Sequence, residues 1–310
     1  MSARWADWRK NLPSGSTRLF GILGAPLEHS LSPAIHTAVL RSLGIDGIYL
    51  PVPIAALQIR SFFDLAPSLG FVGVNVTTPF KEAAFGHVRP HDRETVRTGM
   101  VNTVVFGKRS GRSRPGGAGS APADVRGFGT DGAGTLRWLQ SYGAAGVTVG
   151  ILGFGPTARS LVHRLWWKEP KRSVKVVTRR PAIVSGALAS WPQSGRGTGR
   201  LVGGGPTVSG WDDLPEGVDI WVSTLPPGTP LPEVFWARAK GSRLLDMNYG
   251  NARSDLLAEA RQRGIPSADG LGPLLEQAAL SLSFWLHEDI DPDRFRRALG
   301  VPARRLGPAS

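Results

Sequence analysis

An α/β protein built on two sheets follows from three features of the sequence. Short apolar runs alternate with longer segments of helical spacing, an order that favours parallel strands joined by crossover helices. That order stops and restarts, with one series from Arg18 to Val76 and another from Val147 to Met247. The chain's 310 residues are also enough for two domains of roughly 100–200 residues each.

In the first series, RLFGILG (18–24) reads as a strand, followed by a helix from about Pro33 to Leu43. Residues 48–53 and FVGVNV (71–76) are further strands, with a helix over about 55–67 between them. GTDGAGTLRWLQSYG supplies a bridging helix. The second series opens on VTVGILG (147–153), continues through a helix over 156–167, and adds VKVVT (174–178), DIWVST (219–224) and SRLLDM (242–247). Residues 273–287 and 292–299 read as two closing helices. The expected organisation is a discontinuous N-terminal α/β domain, residues 1–128 completed by helices within 271–310, with a second domain, 129–270, inserted between. Two stretches, 107–124 and 194–210, hold few core-forming residues and read as loops. The final Gly-Pro-Ala-Ser reads as a fraying end.

Composition narrows the class. Hydrophobic residues are 41% and charged residues 20% of the chain, a globular profile. No apolar run approaches the ~18 residues of a membrane-spanning helix, and the N-terminus lacks the apolar stretch of a secretory signal. Cysteine is absent, which removes disulfides and thiolate chemistry and fits a cytoplasmic enzyme. The formal charge of +13 comes mostly from scattered arginines, with no basic run interleaved with stacking aromatics. Attraction of small anions therefore explains the charge better than nucleic-acid recognition.

The sharpest motif is Gly153-Phe154-Gly155-Pro156-Thr157-Ala158, after an apolar strand and before a helix. This is the G-x-G-x-x-A form of the dinucleotide fingerprint: Gly153 permits the tight turn, Gly155 the close approach of a pyrophosphate, and Ala158 close helix–strand packing. The helix N-terminus offers amide donors to the anion. An ordinary tight turn is the plainer reading, but the strand–turn–helix context favours a doubly wound, Rossmann-type domain. The next strand ends in Thr178, Arg179 and Arg180, where NAD sites commonly place an acidic residue. Guanidinium groups there suit the 2′-phosphate of NADP, although solvated arginines give the same pattern.

In NVTTPFKEAAF, Thr77 or Thr78 can cap a helix with Pro79 in its first turn. Lys81 then falls in that first turn, where a cation opposes the helix dipole. It reads equally as a functional residue and as a lysine reaching into water. Asp131, in FGTDGAG, reads as a helix cap or as the carboxylate partner of Lys81 in proton transfer. Ser30 and Ser32, in PLEHSLSP, can donate to a carboxylate or serve as turn residues. His29 and His36 lack metal-site spacing, so no metal is expected.

Taken together, GAPLEHSLSPAIH, GVNVTTPFKEAAF, GMVNTVVF, GFGTDGAG, GILGFGPTARS, VVTRR, LLDMNYG and SADGLGPLLEQAA resemble the shikimate dehydrogenase family, from about residue 18 to 300. The resemblance implies a two-domain enzyme that reduces 3-dehydroshikimate to shikimate with NADPH, acting as a monomer or homodimer. It implies that Lys81 and Asp131 form the catalytic pair and that Ser30, Ser32 and Tyr249 bind the substrate carboxylate. Thr77, Asn102 and Gln277 then meet the ring hydroxyls or ketone, and Gly270 lies beside the nicotinamide. The chain departs from the family pattern at Gly129 (usually Asn), Pro273 (usually Met) and Thr37 (usually Asn), and in its longer 107–124 segment. These departures keep open a paralogue acting on quinate or an amino-shikimate. A metabolite-sensing regulator is the non-enzymatic alternative.

Overall fold

A computed structural model describes residues 13–107, 124–141, 146–168, 173–191, 205–250 and 255–300. In chain order these form β1 (Arg18–Gly24), α1 (Ser32–Ser42), β2 (Gly47–Pro53), a 3-10 turn (Ala56–Gln58) leading into α2 (Ile59–Leu65), β3 (Phe71–Val76) and α3 (Lys81–Phe85). Next come β4 (Arg89–Pro90), α4 (Arg93–Thr98), β5 (Thr103–Phe106), β6 (Val125–Phe128) and α5 (Asp131–Gln140). The second series is β7 (Val149–Leu152), α6 (Pro156–Lys168), β8 (Val174–Val177), α7 (Pro181–Ala189), β9 (Thr207–Ser209) and β10 (Ile220–Ser223). It continues through α8 (Glu233–Arg238), β11 (Arg243–Asp246), α9 (Leu256–Gln262) and β12 (Ser267–Asp269), and the chain closes with α10 (Leu271–Leu286) and α11 (Pro292–Ala298).

The strands make two six-stranded sheets, ordered β2-β1-β3-β5-β6-β4 and β12-β11-β10-β7-β8-β9. Every pairing in the second is parallel. Its order reverses between β7 and β10, and in open α/β sheets the crevice at such a switch point, beyond the carboxyl ends of the strands, is where ligands sit. The first sheet departs from the all-parallel expectation: β5 runs antiparallel to both β3 and β6. The ladder of β5 and β6 extends one step further, with the Gly107 amide donating to the Asp124 carbonyl at 2.8 Å, so these neighbours pair as a hairpin and need no crossover helix. Thr207–Ser209 corrects the loop reading of 194–210. These residues pair with Lys175, Val176 and Val177 as the edge strand β9.

Each sheet is buried by helices. Trp285 and Phe295, from the two closing helices, join Phe20, Ile35 and Tyr49 in one core over the first sheet. Leu23, Phe63, Val74 and Phe106 fill its other face. Over the second sheet, Leu161 and Leu165 of α6 pack with Ile151, Val176 and Val222. Helix α5 joins the halves and carries two glycines for close approach. A Cβ on Gly134 would stand 2.6 Å from the Gln277 amide nitrogen of α10, and one on Gly132 would stand 2.5 Å from the Ser160 carbonyl carbon of α6.

Candidate active site

Lys81 is the first residue of α3 and Asp131 the first of α5. This corrects two local expectations. Phe80 is the N-cap of α3, with no side-chain cap bond, so Thr77 and Thr78 do not cap it and Pro79 precedes the helix. The Phe80 amide instead donates to the Thr77 carbonyl at 2.9 Å, closing a turn. Thr130, not Asp131, stands at the N-cap of α5.

The Asp131 side chain is thereby free to turn inward. Its Oδ2 accepts from Lys81 Nζ at 2.5 Å, and its Oδ1 accepts from Asn102 Nδ2 at 2.7 Å. Asn102 Nδ2 also lies 3.2 Å from Gln277 Oε1, while Asn102 Oδ1 accepts from the Thr130 amide at 2.7 Å. Lys81 is 8% exposed and Asn102 5%. An ammonium so buried is tolerated because a carboxylate meets it, which accounts for a cation placed against the helix dipole.

Behind this network lies a row of hydroxyls and amides. Thr103 Oγ1 is 3.0 Å from Thr130 Oγ1 and 2.9 Å from Ser281 Oγ. Asn75 Nδ2 donates to Ser281 Oγ at 2.9 Å, and Tyr49 donates its hydroxyl to Asn75 Oδ1 at 2.8 Å. Burial pushes the Tyr49 phenol well above its usual range, against a hydrogen bond with Ser32. Beside these groups His36 stacks on Tyr49 with ring centroids 4.4 Å apart, and burial lowers its pKa to about 3.

A cavity of about 290 Å³ opens in front of the pair. Thr77, Lys81, Asp131, Tyr249 and Gln277 line one part of it. Thr157 of the glycine-rich turn and Gly270 line the same cavity, with Thr224, Leu225, Met247 and Asn248 from the ends of β10 and β11. Burial, with the Asp131 charge adding to it, raises the pKa of the Tyr249 phenol. Ser30 and Ser32 do not line this cavity. They sit at the start of α1, the Ser32 amide 3.4 Å from Ser30 Oγ, with Ser32 7% exposed.

The nucleotide turn has its own geometry. Gly153 adopts φ +93 directly after β7, a conformation that excludes most side chains. A Cβ on Gly155 would meet nothing within 4 Å, so open space faces the turn there. Pro156 opens α6 and no acidic residue occupies its first turn, which leaves the helix N-terminus favourable for an anion. Ala158 is fully buried in the helix–sheet core. The Gly153 amide donates to the Val177 carbonyl at 2.9 Å, which brings the turn beside Thr178, and Arg179 and Arg180 are exposed just beyond. These residues fit a dinucleotide carrying an extra phosphate.

Thr135, Thr224, Asn248 and Leu274 also line the cavity and are not singled out by sequence. Asn248 lies within the LLDMNYG motif, which is a usable signal; Thr224 ends an apolar strand and carries none. Among the described residues no group of three His, Cys, Asp or Glu side chains is placed to hold a metal ion. No helix among them is long and apolar enough to cross a membrane.

Comparison with known proteins gives a consistent result. The family model described as the shikimate dehydrogenase substrate binding domain matches residues 22–104. A shikimate dehydrogenase (NADP(+)) of Acidiphilium cryptum is 32% identical over 282 residues, covering 88% of this chain and 91% of that protein. A crystal structure of a shikimate dehydrogenase in complex with NADP+ superposes with a TM-score of 0.77 at 23% identity, over 95% of this chain and 98% of the other. The Thermus thermophilus shikimate 5-dehydrogenase, crystallised with NADP(H) and shikimate, has a TM-score of 0.70 at 26% identity, over 91% and 98% of the two chains.

Proposed function

Because the chain belongs to the shikimate dehydrogenase family, we propose that it catalyses the reversible NADP-dependent reduction of 3-dehydroshikimate to shikimate, a step of aromatic amino acid biosynthesis. The observation that carries the proposal is the Lys81–Asp131 pair at 2.5 Å, facing a cavity that also reaches Thr157 of the nucleotide turn.

When bound, NADPH supplies the hydride. The turn from Gly153 to Ala158 would hold its pyrophosphate and Thr178, Arg179 and Arg180 its 2′-phosphate, with Gly270 lining the cavity they share with the substrate. As the ketone carbon is reduced, the oxygen gathers negative charge, and Lys81 Nζ is the donor placed to give it a proton. Asp131 fixes the ammonium through Oδ2, while Asn102 on Oδ1 keeps the carboxylate from rotating. A held donor avoids the loss of orientation that slows a free one. Gln277 and Thr77 offer hydrogen bonds to ring hydroxyls from the cavity wall. Tyr249 on the cavity wall, with Ser30 and Ser32 at the start of α1, would receive the substrate carboxylate.

A monomer or a homodimer is part of the same proposal. A cytoplasmic location is part of the same proposal and rests on the absence of cysteine.

Oxidation of shikimate and of quinate, each with NADP+ and NAD+ and followed at the absorbance of the NADPH or NADH formed, tests the reading. Shikimate with NADP+ is expected to give the highest kcat/KM. A preference for quinate overturns the substrate assignment, and shikimate binding without turnover on any combination points to a sensor.

A further inference from the structure

Glu94 of α4 is 3% exposed and plays no part in the chemistry above. Its carboxylate receives two side chains from α6. Ser160 donates its hydroxyl to Oε1 at 2.5 Å, and Arg164 pairs with Oε2. Each of these two also grips the backbone beside Asp131. The Gly132 amide, one residue after Asp131, donates to Ser160 Oγ at 2.9 Å. Arg164 Nη2 lies 3.4 Å from the Gly129 carbonyl, two residues before it.

The absence of a side chain at position 129 belongs to the same arrangement. A Cβ there would lie 3.0 Å from Glu94 Oε1 and 3.2 Å from its carboxyl carbon. A side chain at 129 would therefore press on the Glu94 carboxylate, which would have to give by a few tenths of an ångström. Charged groups around it are Arg164 from α6, Asp92 at the N-cap of α4 and Asp131 from α5.

We propose that Glu94 is a positioning residue for Asp131: through Ser160 and Arg164 it pins the backbone on both sides of that residue and so aims its carboxylate at Lys81 and Asn102. The inference rests on the dehydrogenase reading, since it concerns the aim of a catalytic group. It also makes the state of the catalytic pair depend on contacts across the two sheets, because Glu94 belongs to the first half and Ser160 and Arg164 to the second. Burial pushes the Glu94 carboxyl up to about 8, with Arg164 and Ser160 pulling it down.

The test uses E94A, S160A, D131N and the double variant E94A/D131N, with steady-state kinetics on shikimate and NADP+. E94A is expected to lower kcat roughly 10- to 100-fold, the scale of a small misplacement near the chemistry, with both KM values little changed. S160A, which removes one hydroxyl and keeps the fold, is expected to lower kcat in the same direction by less. Once the carboxylate is gone its aim no longer matters, so E94A/D131N should be no slower than D131N. A double variant that is slower by the full E94A factor overturns the proposal, because a general loss of packing multiplies through. A second readout is independent of turnover: the rate at which Lys81 is acylated by a small amine reagent at one fixed pH, measured by mass spectrometry. Loosened pairing should raise that rate several-fold in E94A and S160A. If the wild type fails to oxidise shikimate, the dehydrogenase reading falls while the acylation rates still judge Glu94. Unchanged acylation in both variants overturns the positioning role.

Discussion

At the scale of single residues, the site depends on a cation in an unfavourable place. Lys81 opens a helix, where its charge opposes the dipole, and it is 8% exposed. Asp131 compensates for both penalties at once. Removing the amine in K81A should lower kcat roughly 10²–10⁴-fold, with a far smaller change in KM for shikimate. Retention of most turnover would end the assignment of Lys81 as proton donor. D131N should slow the reaction too, and K81A/D131N should fall well short of the product of the two losses, because the pair acts as a unit. Asn102 is harder to test by truncation: it bonds Asp131, Gln277 and Thr130 together, and its loss strands three partners.

Among the elements, the proposed function has the β7–α6 turn and the end of β8 divide the work of holding a dinucleotide. The turn offers backbone amides and open space, and Arg179 and Arg180 offer charge. R179A and R180A should weaken NADPH binding by roughly ten- to a hundredfold, the range for a charge-assisted hydrogen bond, and leave NADH nearly unaffected. Calorimetric titration of both cofactors decides this, and equal losses for the two would reduce the arginines to surface charge.

Elements of this kind are also the most legible in sequence. Strands 18–24 and 71–76 appear residue for residue, and the helices after the two glycine-bearing turns lie within a residue or two of expectation. Runs of four or more apolar β-formers followed by a turn signal are hard to mistake. The short pieces are not legible: β4, β9 and β12 hold two or three residues each, too few to show a two-residue period. They exist because a neighbouring strand offers them an edge. The antiparallel β5 is hidden for a related reason, since strand direction is set by connection and not by composition. Glu94 escapes sequence reading outright: nothing in HDRETVRT marks it, and Ser160 and Arg164 of α6 meet it only in the fold. The departure at Gly129 is visible, but its meaning is not. In the structure a Cβ at that position would press on the Glu94 carboxylate. Of the loop expected over 107–124, residues 108–123 lie outside those described.

For the whole molecule, polar groups enclosed by apolar packing set how stability responds to acid. His36, 1% exposed, is walled by Tyr49, Trp285 and Phe295, and burial holds its pKa at about 3 against the ordinary 6.5. The unfolded chain therefore takes up this proton first, and between these two pH values it binds more protons than the folded one. Stability from this residue is complete above about 6.5 and is lost as pH falls towards 3. Chemical denaturation of the wild type and H36F across that window should show the wild type losing about 1.4 kcal/mol more per pH unit. A difference that stays flat from neutral pH down would mean that His36 ionises in the folded protein as readily as in water.

The strands of the two sheets are not interleaved along the chain: β1 to β6 build the first, and β7 to β12 the second. The second sheet is consequently one continuous stretch of the chain, flanked by α5 and α10. A chimera that exchanges that stretch for a relative's keeps both halves of the Lys81–Asp131 pair from the recipient chain. Ser160 and Arg164 come with the donor segment, however, and must meet the recipient's Glu94. Fit at that seam is what such a chimera has to preserve.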